Sequence, residues 1–144
     1  MKRALFLVGV LMMLVGAVST ASAQRKYGVN KTITFKPGVT SMRILGTLRS
    51  GLEVHDYRFN VKAGHKMQID LVSNDKNIGF YIMTIPDGYV MTDDVGVRRF
   101  DNDLPYTGEY KLVVETDSKR GSKYALEITI EPSSKHIKHI DPGF

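Results

Sequence analysis

Between Lys31 and Glu131 the chain repeats one pattern: short runs in which every second residue is apolar, broken by Gly, Pro, Asn and Asp. His55-Asp56-Tyr57-Arg58-Phe59-Asn60-Val61 sets Tyr57, Phe59 and Val61 on one face. Lys66 to Val72 does the same with Met67, Ile69 and Leu71, and Gly108 to Glu115 with Tyr110, Leu112 and Val114. Ser122 to Glu131 aligns Tyr124, Leu126, Ile128 and Ile130. Side chains alternate across a strand, so a period of two marks half-buried strands. Thr32 to Phe35 and Met42 to Leu48, separated by the turn residues Lys36-Pro37-Gly38, read as two more. Ile78 to Ile85 is more continuously apolar, as suits a central strand, and Pro86-Asp87-Gly88 ends it. No segment sustains an apolar period of 3.6, which would be needed for a core-facing helix. Strands with one apolar face each bury those faces by stacking two sheets or by closing a barrel. The expected fold is all-β: an antiparallel β-sandwich of jelly-roll type with seven to eight strands. An eight-stranded closed barrel is the alternative.

The segments outside this pattern have other signatures. Met1-Lys2-Arg3 is a short positive region, Ala4 to Val18 is apolar and uncharged, and Ala21-Ser22-Ala23 is a small-residue cleavage pattern. Together they read as a secretory signal peptide over residues 1–23, cut before Gln24. The apolar run falls short of the roughly 20 residues that span a bilayer, which disfavours a retained anchor. Residues 24–30 read as a flexible lead, 31–131 as the sandwich domain and 132–144 as an extended tail. The expected location is periplasmic or secreted. Removing Met1–Ala23 takes away Lys2 and Arg3 and lowers the formal charge from +5 to +3. Such a weak, dispersed charge gives no footprint for nucleic acid. The chain has no Cys. That excludes disulfides, a thiol nucleophile, thiolate metal sites and lipoprotein acylation, so the core alone must stabilise the domain.

Catalytic signatures are sparse. There is no G-x-S-x-G elbow, and the glycines sit singly at turns rather than in a phosphate-cradling loop. His55 and His65 are the histidines within the domain, at a strand start and in a turn, and neither is in a pattern that sets it beside a Ser. His136-x-x-His139 with Asp141 has zinc-like spacing but lies in the tail without a third ordered ligand. Asp75-Lys76-Asn77-Ile78-Gly79 resembles the start of a calcium loop but lacks the downstream bidentate Glu, so a turn is expected. Asp93, Asp94, Asp101 and Asp103 are the remaining calcium candidates. No enzyme activity, cofactor or metal is expected.

The loops carry binding chemistry instead. Tyr89 to Leu104 reads as a long loop with room for a short strand near Val97 to Phe100. Long loops in small domains are often functional. Arg98, Arg99, Tyr106 and Thr107 lie in or just after it, and Lys119 and Arg120 lie in a second basic loop between the last two strands. Arg and Tyr are enriched at interface hot spots. These six residues are the candidate partner-binding set.

The stretch from about Phe35 to Ile130 resembles the bacterial pre-peptidase C-terminal domain family. The likeness rests on Gly46, on Tyr57-Arg58-Phe59, on Ala63-Gly64, on Met67 to Leu71 and on Leu104-Pro105-Tyr106-Thr107-Gly108-Glu109-Tyr110. Within that group the chain is similar to the periplasmic inhibitors of g-type lysozyme. The matching residues are Phe35, Gly38, Ser41, Tyr57, Phe59, Gly64, Lys66, Leu104, Pro105, Gly108, Tyr110, Leu112, Lys123, Tyr124, Ile128 and Ile130. The resemblance implies a jelly-roll sandwich and a protein partner, g-type lysozyme, whose peptidoglycan cleft the loops would enter. It implies that Arg98, Arg99, Lys119 and Arg120 pair with the cleft's catalytic carboxyl group. Tyr106 and Thr107 would hydrogen-bond where sugar hydroxyls normally sit. The alternative is a free-standing accessory module that binds polysaccharide, envelope protein or calcium.

Overall fold

A strand with one apolar face needs a second apolar face laid over it. The computed structural model, which describes residues 24–94 and 96–132, meets that need with two four-stranded sheets and no helix among the described residues. The first sheet runs β1 (Lys26–Ile33), β3 (Glu53–Val61), β7 (Gly108–Thr116), β5 (Ile78–Ile85). The second runs β2 (Ser41–Leu48), β8 (Ser122–Pro132), β4 (His65–Val72), β6 (Arg99–Asp103). No strand of one sheet is hydrogen-bonded to a strand of the other, so the fold is a sandwich and not the closed barrel. All pairings are antiparallel except β1 with β3.

Consecutive strands always lie in opposite sheets. No two consecutive strands therefore form a β-hairpin, and each connection passes from one sheet to the other. From β2 to β8 this is the winding of a jelly roll, with β1 added outside β3. The faces between the sheets carry the expected alternation. Tyr57, Phe59, Phe80, Ile82, Leu112 and Val114 from the first sheet meet Leu48, Met67, Ile69, Tyr124, Leu126 and Ile128 from the second, all buried.

Three features depart from the sequence expectation. The flexible lead is in fact the beginning of β1: residues 26–30 pair in parallel with the start of β3. This strand is hard to read because it lies at a sheet edge and buries Ile33 alone, so it has no apolar stripe. Thr34 and Phe35, expected within the first strand, follow it. The long loop is also largely ordered against the sheet. Its first half returns along the outer edge of β5, with bridges Met83–Val90 and Phe80–Val97. The amides of Met91 and Phe80 donate to the carbonyls of Ile82 and Val97, each at 2.8 Å. Its strand, β6, begins at Arg99 rather than near Val97. The segments 1–23 and 133–144, including His136, His139 and Asp141, lie outside the described residues.

Candidate functional site

Because each strand crosses the whole sandwich, the connections collect at two ends. A strand of eight residues at about 3.3 Å per residue holds those ends roughly 25 Å apart. One end gathers the β3–β4 turn, the β5–β6 turn and the β6–β7 loop. The other gathers the β2–β3, β4–β5 and β7–β8 connections and the start of β6.

At the first end, Tyr106 and Thr107 occupy the β6–β7 loop. The Tyr110 hydroxyl donates to the Tyr106 carbonyl at 2.6 Å and accepts from the Tyr106 amide at 3.0 Å. This grips the loop from within the core, and the Tyr106 ring is left exposed. The Thr107 hydroxyl accepts from the Ala63 amide at 2.8 Å, which ties this loop to the β3–β4 turn. Its oxygen serves the scaffold.

At the opposite end the organiser is Asp75. Its carboxylate accepts from the Thr116 hydroxyl at 3.0 Å, the Asn77 amide at 2.9 Å and the Ser122 hydroxyl. These donors, Ser122 foremost, hold its carboxyl below the usual carboxylate range. The Ser73 hydroxyl donates to the Lys123 carbonyl at 2.6 Å and accepts from the Asp75 amide. The Asp117 amide donates to the Asn77 carbonyl at 3.2 Å. Asp75 therefore ties the β4–β5 turn to both strands that flank the β7–β8 loop. The calcium-like segment is a turn whose carboxylate is occupied by protein donors. The backbones also approach closely: a Cβ on Gly121 would lie 2.3 Å from the Leu48 carbonyl oxygen.

The six candidate residues divide between the two ends. Arg98, Arg99, Lys119 and Arg120 share the Asp75 end, and Tyr106 and Thr107 lie at the other. Arg98 is half-buried and donates to the carbonyls of Ser73 at 2.8 Å and Asp75 at 3.3 Å, so it braces the β4–β5 turn. Arg99 is exposed, with Nε 3.6 Å from Asp70. Lys119 and Arg120 are exposed and form no ion pair among the described residues. Exposed Arg49 and Lys76 add to the positive field of this end. The four acidic calcium candidates of the sequence fall on two segments. Asp93 and Asp94 are in the segment along β5, and Asp101, on β6, is held by Lys66 at 3.0 Å and Gln68 at 2.9 Å. No group of three metal-ligating side chains forms among the described residues.

One polar constellation was missed by sequence reasoning. Glu53, His55 and Tyr57 alternate onto the inner face of β3 and meet Tyr124 from β8. The Glu53 carboxylate can only accept, so His55 Nε2 carries the hydrogen toward it, at 3.2 Å. In the neutral imidazole Nδ1 accepts from the Tyr124 hydroxyl at 2.6 Å, which leaves Tyr57 to donate to Tyr124 at 2.8 Å. The other Glu53 oxygen accepts the Arg49 amide at 2.7 Å. Burial raises the Glu53 carboxyl, but the Arg49 amide and His55 outweigh it and the net shift is downward. Burial pushes the Tyr124 and Tyr57 hydroxyls upward. Carboxylate, imidazole and hydroxyl stand in the order of a hydrolytic relay. All four side chains are nevertheless buried between the two sheets. The chain joins the sheets through satisfied hydrogen bonds. Its sequence signal is the run of inward-facing polar residues at 53, 55 and 57 on an otherwise apolar face.

No protein-family model matches the sequence, and no curated protein sequence matches it significantly. Solved structures do share the fold. PliG from Aeromonas hydrophila, a periplasmic inhibitor of g-type lysozyme, superposes with a TM-score of 0.64 at 20% identity, covering 74% of this chain and 98% of the inhibitor. PliG from Salmonella Typhimurium gives 0.56 at 22% identity over 72% of this chain and 99% of its own. The pre-peptidase C-terminal domain of a Bacillus anthracis collagenase gives 0.52 at 17% identity, covering 62% and 90%. Both resemblances read from the sequence are therefore present in the fold.

Proposed function

We propose that this chain is an exported, non-catalytic protein inhibitor that acts on g-type lysozyme in the periplasm through its Asp75 end. The observation that carries the reading is the sandwich shared with two such inhibitors over nearly their whole length. The basic end supplies a means. Lys119, Arg120 and Arg99 project from connections that Asp75, Arg98 and Gly121 hold in place, so little freedom is lost when they dock. A glycosidase cleft must contain a carboxyl acid, and a guanidinium–carboxylate pair strengthens as the interface excludes water. Tyr106 and Thr107, at the far end, would contact a different surface or none. Net charge gives no long-range steering toward a basic enzyme. The complementarity acts within the screening length of about 8 Å at physiological salt.

The test is lysis of cell walls by g-type and chicken-type lysozymes in the presence of the purified protein. Near-stoichiometric protection against the g-type enzyme alone is expected. Lys119→Ala with Arg120→Ala should weaken inhibition about tenfold or more at unchanged melting temperature, whereas Tyr106→Ala should leave it intact. No protection by the parent protein, with retention on peptidoglycan in the absence of lysozyme, would overturn the reading in favour of a glycan-binding module. Protection that survives the double substitution would move the site away from this end.

A further inference from the structure

The two sheets have four edges, and three of them are blunted. β1 carries Lys26 and Lys31 and an irregular register between Tyr27 and Val29. β5 is covered by the returning segment at Val90 and Val97. β6 has only five residues, and Arg99, Asp101 and Asp103 are among them. Lysines, bulges, covers and short charged strands are the devices that stop edges from pairing. β2 has no lysine, bulge or cover among the described residues, and its single charge is Arg43. It is eight residues of regular register, Ser-Met-Arg-Ile-Leu-Gly-Thr-Leu, without Pro or an inward charge. Among the described residues only β8 pairs with it.

One row of the outer face beside that edge is apolar. Leu45 of β2, Ala125 of β8 and Val72 of β4 stand in one row across the sheet. Leu45 is 75% exposed, the most exposed large apolar side chain described, and Val72 is 56% exposed. The row ends abruptly at the open edge.

We infer that β2 pairs antiparallel with β2 of a second copy of this chain, about a two-fold axis through Leu45. An axis perpendicular to the sheet keeps outer faces together, so the register must be centred on a residue. Centring on Leu45 sets Leu45 against its own copy and continues the apolar row through both molecules. It sets Arg43 opposite Thr47, Ile44 opposite Gly46 and Met42 opposite Leu48. No like charges face each other, and Arg43 keeps its own Glu127, 3.9 Å away in the same sheet. Centring on Ile44 would instead set Arg43 against Leu45. The strand is thus complementary to itself in one register. A seam of one strand is small beside the roughly 1,200–2,000 Å² of stable interfaces. The dimer therefore forms reversibly and grows with concentration. This inference is independent of any lysozyme target.

The absence of native Cys makes the register testable. Leu45 and its copy would have Cα atoms about 4.5–5.5 Å apart, within disulfide reach. Arg43 and its copy would be offset by about 13 Å. Leu45→Cys is expected to form a disulfide-linked dimer on mild oxidation. Arg43→Cys should not link to itself but should link to Thr47→Cys in a mixture. Sedimentation of the parent protein should show a monomer at low micromolar and dimer approaching millimolar concentration. Leu45→Lys should abolish the dimer without changing the melting temperature of the monomer. Monomer at every concentration would overturn the inference. So would Arg43→Cys linking to itself as fast as Leu45→Cys, or Leu45→Cys linking no faster than Tyr89→Cys, an exposed position away from the edge.

Discussion

Asp56 shows how one residue can oppose the fold that contains it. It alternates outward from β3, yet it is 2% exposed and its Oδ1 has no hydrogen-bond partner among the described residues. Burial raises its carboxyl above the ordinary range, and Lys111 at 3.6 Å and Arg58 only partly offset that. A carboxyl with a raised folded value binds its proton more tightly in the folded state. Its favourable contribution is present at low pH and is lost as pH climbs through that raised value. Asp56→Asn should remove this pH-dependent loss. The melting temperature should then fall less than the parent's as pH rises from the ordinary carboxylate range to neutrality. Gly121 is the opposite case, a residue the fold requires. A Cβ there would lie within 3.0 Å of backbone atoms of both Leu48 and Arg49. Gly121→Ala should therefore destabilise by about 1–3 kcal/mol in urea titration, because backbone must shift to admit it. The sequence shows Gly121 as a turn residue and Glu53, His55 and Tyr57 as alternating residues. It does not show that Leu48 crowds the first or that Tyr124 completes the second. Those partners are distant in the chain, and only the sheet pairing brings them together.

Elements were legible in proportion to the apolar surface they bury. β3, β4, β7 and β8 supply the core and have clean alternation, so their extents follow from the residues, except that β3 begins at Glu53, two residues before the alternating run read from the sequence. β1 and the cover over β5 bury little and are held by backbone hydrogen bonds, which any residue but Pro can donate. That is why one reads as a lead and the other as a loop. The cover has a measurable signature. The amides of Phe80 and Met91 should exchange slowly with solvent despite their place at a sheet edge. Met91→Pro removes the donor to Ile82 and should speed exchange at Phe80 and Thr84, as well as promoting aggregation, while β3 and β7 stay protected. The candidate site was legible as a list of residue types but not as a place. Arg98 and Thr107 look like ligand-binding residues in sequence, and in the fold they brace turns. Of the four basic candidates, Lys119 and Arg120 are the two that combine exposure with the absence of an ion pair among the described residues.

In the whole molecule, chain order and spatial order are thoroughly mixed. No strand hydrogen-bonds to its successor, so all sheet structure requires closure of loops that contain at least one other strand. Such topologies fold slowly, because the entropy of closing distant contacts is lost before the contacts form. Refolding monitored by stopped-flow fluorescence of the tyrosines should take milliseconds to seconds, and microsecond folding would contradict this topology. β8 matters most, because both β2 and β4 are paired through it. The second sheet has no centre until the ribosome has released the chain through Pro132. A chain of this design therefore completes its first sheet in chain order with β7 and its second only with β8, the last strand described.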